Sequence, residues 1–244
     1  MVAVDLNADV GEGAGNDKDL MPFLSSCNIA CGGHAGDIKS IEETIIAAKK
    51  FDVKIGAHPS FPDRDNFGRL LMPIAPKHLR ASLIEQIEHI ETVACRLEVP
   101  VHHIKPHGAL YNEVVKNKDL AALMLEVISS FKAPYKLYAP YKSVIAQMAL
   151  EQEISVVYEA FADRNYNDDL SLVARTLNNA IIYNKYEILE HVKQIALKQK
   201  VKTIQQNAIE IKAETYCIHG DHPSAIEIAS FLFTHLPNCG IKLK

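Results

Sequence analysis

The chain has 244 residues, 48% of them hydrophobic and 23% charged, with 26 Lys+Arg against 30 Asp+Glu and a formal charge of −4. It is long enough to bury a sizeable core and ordinary in composition for a globular protein; no basic patch points to nucleic acid, and no apolar run has the length of a membrane-spanning helix. The start, Met1-Val2-Ala3-Val4-Asp5, lacks a positive segment followed by an apolar one, so no signal peptide and a cytoplasmic location are expected, and the cysteines at 27, 31, 95, 217 and 239 read as reduced thiols.

Strand-like runs recur along the chain with helix-like runs after them. Residues 2–8 read as a first strand, ending in Asn7-Ala8-Asp9-Val10-Gly11-Glu12. A second, 26–31, leads through Gly32-Gly33 to His34 and Asp37, and Asp37 can cap a helix with Ile41, Ile45 and Ala48 on one face. The third strand, 53–58, ends at His58. A helix over 76–98 keeps Leu79, Leu83, Ile87, Ile90, Ala94 and Leu97 at a 3.6-residue period, with Pro76 suited to its first turn. Strand 101–105 runs into Lys105-Pro106-His107-Gly108, followed by a helix over 119–130, a strand over 135–139 and a helix over 141–152. Strand 154–159 ends at Glu159, with Asp163 and Arg164 beyond it. Residues 163–184 fit neither element and read as a long functional loop. A helix over 186–200, a strand over 213–219 ending in His219-Gly220-Asp221, and a helix over 223–236 complete the chain. This alternation implies parallel strands with right-handed crossovers in one domain: a seven-stranded (β/α) barrel, incomplete or distorted, with an open doubly wound sheet as the alternative.

In both architectures the site lies at the carboxyl ends of the strands, where the titratable residues collect. Asp9, Glu12 and Glu159 are candidate general bases; His58, His107 and His219 are candidate proton carriers or oxyanion stabilisers. Lys105, Arg69 and Arg164 can hold an anionic group. Asp37 and Asp221 also read as simple caps or turns, and His78, His89, His191 and His235 fall on helices and are expected at the surface. Cys31 reads as a small buried residue rather than a nucleophile. Asp9, His34, His58 and Asp221 are suitable ligands for a divalent ion, yet no HExxH helix or paired CxxC accompanies them, so no metal is assigned. No phosphate-binding glycine loop of a known type is present, and no organic prosthetic group is expected.

These motifs resemble the LamB/YcsF family. The resemblance runs from Val4-Asp5-Leu6-Asn7-Ala8-Asp9-Val10-Gly11-Glu12 through Asn28-Ile29-Ala30-Cys31-Gly32-Gly33-His34-Ala35-Gly36-Asp37, Gly56-Ala57-His58-Pro59 and Asn66-Phe67-Gly68-Arg69. It continues in Lys105-Pro106-His107-Gly108-Ala109-Leu110-Tyr111-Asn112 and Glu159-Ala160-Phe161-Ala162-Asp163-Arg164-Asn165-Tyr166, and ends at His219-Gly220-Asp221. It implies a distorted seven-stranded (β/α) barrel related to glycoside hydrolases and polysaccharide deacetylases. It also implies one subunit of an ATP-dependent 5-oxoprolinase, which cleaves 5-oxo-L-proline to L-glutamate with two further subunits and takes ATP, with Mg, as co-substrate. A homo-oligomer is compatible with this. On that reading Asn7, His34, Asp37, Arg69, Lys105, Tyr111, Asn112, Asp163, Arg164 and Asp221 contact substrate. The alternatives are a stand-alone metal-dependent deacetylase or cyclic amidase, and a non-catalytic substrate-binding subunit. Two departures stand out: Gly33 replaces an aromatic residue and is expected to enlarge the pocket, and Asp169 and Ala174 replace a glycine and a proline in the long loop.

Overall fold

The computed structural model describes residues 2–220 and 222–244. The first six barrel strands are β1 (Val2–Val10), β2 (Ser26–Ala30), β3 (Lys54–His58), β4 (Val101–Ile104), β5 (Lys136–Pro140) and β6 (Val156–Phe161). A small antiparallel hairpin, β7 (Lys200–Lys202) and β8 (Ala208–Glu210), precedes β9 (Thr215–Ile218). Strand β9 pairs in parallel with both β6 and β1 and so closes a seven-stranded parallel barrel. A last strand, β10 (Ile241–Leu243), runs parallel to the start of β1. The ring is uneven: the β3–β4 register shifts between Ile55 and Gly56. The helices are α1 (Asp17–Leu20), α2 (Ile38–Lys50), α3 (Pro76–Arg96), α4 (Gly108–Val114), α5 (Lys118–Ser129), α6 (Val144–Glu151), α7 (Lys185–Lys198) and α8 (Ala225–His235). Among the described residues no helix is long and apolar enough to cross a membrane.

Periodicity explains the helices. In α3 the side chains of Leu79, Leu83, Ile87, Ile90 and Ala94 are buried on one stripe, each large one contributing roughly 1.5–3 kcal/mol by its removal from water. In α2, Ile41, Ile45 and Ala48 do the same, and Asp37 starts the helix with a reciprocal box: its Oδ1 accepts from Ser40 N at 2.8 Å, and its own N–H donates to Ser40 Oγ at 2.8 Å.

The strands carry the more unusual pattern. In β1 the even positions Val4, Leu6, Ala8 and Val10 join the apolar core, while Asp5, Asn7 and Asp9 hydrogen-bond across the barrel interior. Asp5 Oδ1 accepts from Ser26 Oγ at 2.7 Å and Thr215 Oγ1 at 2.6 Å. Asn28 Nδ2 donates to Asn7 Oδ1 at 2.7 Å and to Asp9 Oδ1 at 2.8 Å, and its own Oδ1 accepts from His103 Nε2 at 2.8 Å. The barrel is thus filled by a bonded polar column rather than by branched aliphatics, which keeps buried polar groups satisfied. Gly56 makes this possible: a Cβ there would run into the His103 ring.

The long loop is more ordered than its sequence suggests. Isolated bridges join Arg164 to Ile181 and Tyr166 to Leu172, and Val173, Ala180 and Ile182 are buried. Helix α4, helix α1, the β7–β8 hairpin and strand β10 are additions to the predicted elements, all short enough to escape periodicity.

Candidate functional site

Strand register brings the predicted strand-end residues to one mouth of the barrel. Asp9 is the last inward-facing residue of β1, and Asn7, one step deeper, donates to Glu159 Oε1 at 3.1 Å. Pairing of β3 with the segment after β4 continues past both strands, through Lys105 N to Ala57 O at 3.0 Å and His107 N to Pro59 O at 2.8 Å, and this sets His107 beside His58.

Lys105 is the hub of the acidic side. Its buried Nζ lies 3.0 Å from Asp9 Oδ1, 2.9 Å from Glu159 Oε1 and 3.1 Å from Cys217 Sγ. Burial alone would lower its pKa, but Asp9, Cys217 and Glu159 raise it well above the usual lysine value. Burial would likewise raise Asp9, and the groups around it, Lys105 among them, hold it well below the usual carboxylate range. Tyr111 donates its hydroxyl to Glu159 Oε2 at 2.7 Å, and burial, reinforced by Glu159, pushes that phenol upward.

Three imidazoles form the opposite wall. His34 and His107 stack with centroids 3.6 Å apart and planes 2° from parallel, and His58 meets both edge-on. His58 Nδ1 donates to the Lys105 carbonyl at 2.7 Å, and His107 Nε2 to the Phe67 carbonyl at 3.0 Å. His34 Nε2 lies 3.0 Å from Glu12 Oε1; a carboxylate accepts, so this nitrogen carries the hydrogen. Burial, with the neighbouring His58 adding to it, lowers His34 to about 3 and His107 to about 2, so both rings are neutral at physiological pH. Across the mouth His219 Nδ1 donates to Asp163 Oδ1 at 2.8 Å and stacks on Phe161. Burial opposes ionisation of Asp163, but His219 outweighs it and lowers the carboxyl. This leaves the Nε2 of His219 as the atom for proton exchange.

Asp9, Glu12, His34, His58, Lys105, His107, Tyr111, Glu159, Asp163 and His219 therefore share one mouth, with Asn7 beneath them. Other predicted site residues stand apart. Asp37 is exposed and engaged in capping α2, and Asn112 is exposed on α4. Arg164 is buried and donates to the Ala180 and Val173 carbonyls, so it braces the long loop. Arg69 is exposed at the rim, its guanidinium 4.9 Å from the Phe67 ring that edges His34 and His107. Asp221 lies outside the described residues.

Two further expectations are corrected. Gly33 does not enlarge the mouth: a Cβ there would strike Gln86 Oε1 and Ser60 Oγ, because Gln86 reaches from α3 to accept from Ser60 N and donate to Ser60 O. His89, His191 and His235 are half-buried rather than surface residues, reaching the Cys31, Phe161 and Phe231 carbonyls, and only His78 is exposed as expected. Cys31 is buried and its thiol is pushed up by burial, as befits a packing residue. Asn28, His103, Ser60, Phe67 and Cys217 were not foreseen. The polar positions Asp5, Asn7 and Asp9 at a period of two were the signal that could have revealed the interior column.

Among the described residues one group could hold a metal: Asp9, Glu12, His58 and His107, each offering an atom within 4.8 Å of the others. It differs from the set drawn from sequence, since His34 supports Glu12 instead of joining the ligand atoms.

The chain is similar to known proteins over nearly its whole length. A 5-oxoprolinase subunit of Histophilus somni is 40% identical over 241 residues, covering 99% of this chain and 98% of that one. A lactam utilization protein from Thermus thermophilus superposes with a TM-score of 0.93 at 33% identity, over 99% of each chain. A family 4 carbohydrate esterase from Streptomyces lividans, solved with acetate, has a TM-score of 0.50 at 10% identity over 99% of this chain and 91% of that one, a likeness of fold alone. The LamB/YcsF family model matches residues 4–244, the same span that carries the barrel and its mouth, and the chain belongs to the LamB/YcsF family.

Proposed function

We propose that this chain is the lactam-handling subunit of an ATP-coupled 5-oxoprolinase. The observation that carries the reading is end-to-end similarity to a 5-oxoprolinase subunit in a chain whose barrel mouth gathers carboxylates and neutral imidazoles around one buried lysine. A five-membered lactam is a stabilised amide with a poor leaving nitrogen. Transfer of the γ-phosphoryl group of ATP to the amide oxygen releases ADP and makes the ring carbon electrophilic. Water then adds to that carbon and the C–N bond opens to leave γ-glutamyl phosphate, and a second water displaces phosphate from it to give L-glutamate.

In this reading Asp9 or Glu12 takes the proton from water, and His219, oriented by Asp163, returns one to the departing nitrogen. Lys105 is held between two carboxylates, so its role is to fix Asp9 and Glu159 rather than to bind the substrate carboxylate. Arg69 at the rim is the cation suited to that task. Two further subunits complete the enzyme and participate in the ATP step.

The test is to mix the chain with its two presumed partners and follow glutamate release from 5-oxoproline with and without ATP. Product from the full mixture with ATP only supports the reading, and folded Asp9→Asn and His107→Ala variants lose turnover. Full activity in both variants would overturn the residue assignment. The cluster of Asp9, Glu12, His58 and His107 favours one other reading, a self-sufficient metal-dependent hydrolase, whose mark is product from this chain alone, lost with a chelator and independent of ATP. Substitutions that change affinity for 5-oxoproline but not turnover would mark a subunit that only presents substrate.

A further inference from the structure

His58 and His107 face each other with the wrong atoms for a hydrogen bond. Each ring gives its hydrogen to a backbone carbonyl: His58 through Nδ1 to Lys105 O at 2.7 Å, His107 through Nε2 to Phe67 O at 3.0 Å. A neutral imidazole has one N–H, so His58 Nε2 and His107 Nδ1 both present lone pairs, and they stand 3.0 Å apart. Two acceptors that close repel unless a cation lies between or beside them.

A shared proton is one such cation, but the carboxylates argue against it. Asp9 Oδ2 is 3.4 Å from His58 Nε2, and Glu12 Oε1 is 3.4 Å from His107 Nδ1. A charged N–H donor draws a carboxylate to about 2.7–2.9 Å. The separations suit ligands sharing an ion instead: with bonds of about 2.1 Å, two donor atoms stand about 3.0 Å apart at a right angle and about 3.4 Å apart at the tetrahedral angle. The supports are also those of a ligand set. Backbone carbonyls fix both imidazole tautomers, Lys105 and Asn28 hold the other oxygen of Asp9, and His34 holds Glu12.

We propose that the barrel mouth binds one divalent transition-metal ion through His58 Nε2, His107 Nδ1, Asp9 and Glu12. Two imidazoles with two carboxylates favour a borderline ion such as Zn²⁺, Co²⁺ or Mn²⁺ over Mg²⁺ or Ca²⁺, which prefer all-oxygen shells. The ion's use in the reaction, holding a water or a carbonyl oxygen at the mouth, rests on the proposed function; its binding does not.

The experiment is a calorimetric titration of the chelator-dialysed, full-length chain with Co²⁺ and with Zn²⁺, with the visible spectrum of the Co²⁺ form. One ion per chain is expected, with ligand-field bands and no intense thiolate-to-cobalt band. His58→Gln and His107→Gln each weaken binding by about 10- to 100-fold or more, whereas His78→Gln, on the exposed face of α3, leaves it unchanged. Should a variant not fold, spin-echo modulation of the Cu²⁺ form of the wild-type chain counts bound imidazoles, and two are expected. No binding up to millimolar ion, a thiolate band, binding that persists when both histidines are replaced, or fewer than two imidazoles would each overturn the site. None of these measurements uses turnover, so a failure of the 5-oxoprolinase reading and a failure of the metal site are separately visible.

Discussion

Lys105 shows how much one buried charge can organise. Its ammonium stands between Asp9 and Glu159 with both partners shielded from water, and removing it leaves two carboxylates without their counter-charge. Lys105→Met is therefore expected to destabilise the fold by about 3–5 kcal/mol, read from urea unfolding. Lys39→Met, which loses only an exposed pair with Glu43, should stay within about 0.5 kcal/mol of wild type. Asp163 acts on a finer scale, since its carboxylate orients the His219 ring and accepts the His219 backbone N–H. In the reconstituted enzyme Asp163→Asn should lower kcat by roughly 100-fold or more with a much smaller change in KM, because it disturbs a proton donor rather than substrate binding. A kcat equal to wild type would remove His219 from the proton path.

At the level of elements, the barrel strands differ from the aliphatic filling common in such folds. Strand β1 turns Asp5, Asn7 and Asp9 inward, and β2, β4, β6 and β9 answer with Ser26, Asn28, His103, Glu159 and Thr215. The shift in register at Gly56 belongs to the same design, since the His103 ring lies where a side chain would stand. Gly56→Ala should displace that ring, break its bond to Asn28 and cost about 1–3 kcal/mol, measured as a lowered urea midpoint. Asp37→Ala tests the outer layer: losing the cap of α2 should cost about 1 kcal/mol and leave turnover unchanged, because Asp37 stands away from the mouth.

For the whole molecule, the interior histidines tie stability to pH. His103 is fully buried, and burial, with His102 and Lys105 adding to it, holds its pKa well below the ordinary value. Above about pH 6.5 neither the folded nor the unfolded chain carries a proton on this ring. As pH falls below that value the unfolded chain takes up a proton and the folded chain does not, so stability is lost on acidification. The slope is at most about 1.4 kcal/mol per pH unit for each such histidine and continues down to the folded-state pKa. The urea midpoint should therefore drop between pH 7 and pH 5, and His103→Gln should make the drop shallower. An unchanged slope in that variant would show that His103 protonates as readily folded as unfolded.

The amino-acid sequence by itself determined the alternation of strands and helices, because helix α3 and its companions bury stripes at a 3.6-residue period and the strands end in turn-forming residues. It also determined which residues stand at strand ends, and parallel strands carry those ends to one side. Only the tertiary structure decided which of them meet. Asp37, Asn112 and Arg164 share motifs with mouth residues yet serve a cap, an exposed helix face and a loop brace, because the side-chain direction at a turn is set by packing against elements distant in the chain. The interior column, the Gln86 side chain filling the space beside Gly33, and the facing lone pairs of His58 and His107 likewise depend on register between strands distant in sequence. Local pattern fixes an element and its ends; contact between elements depends on closure of the barrel, which no short segment encodes.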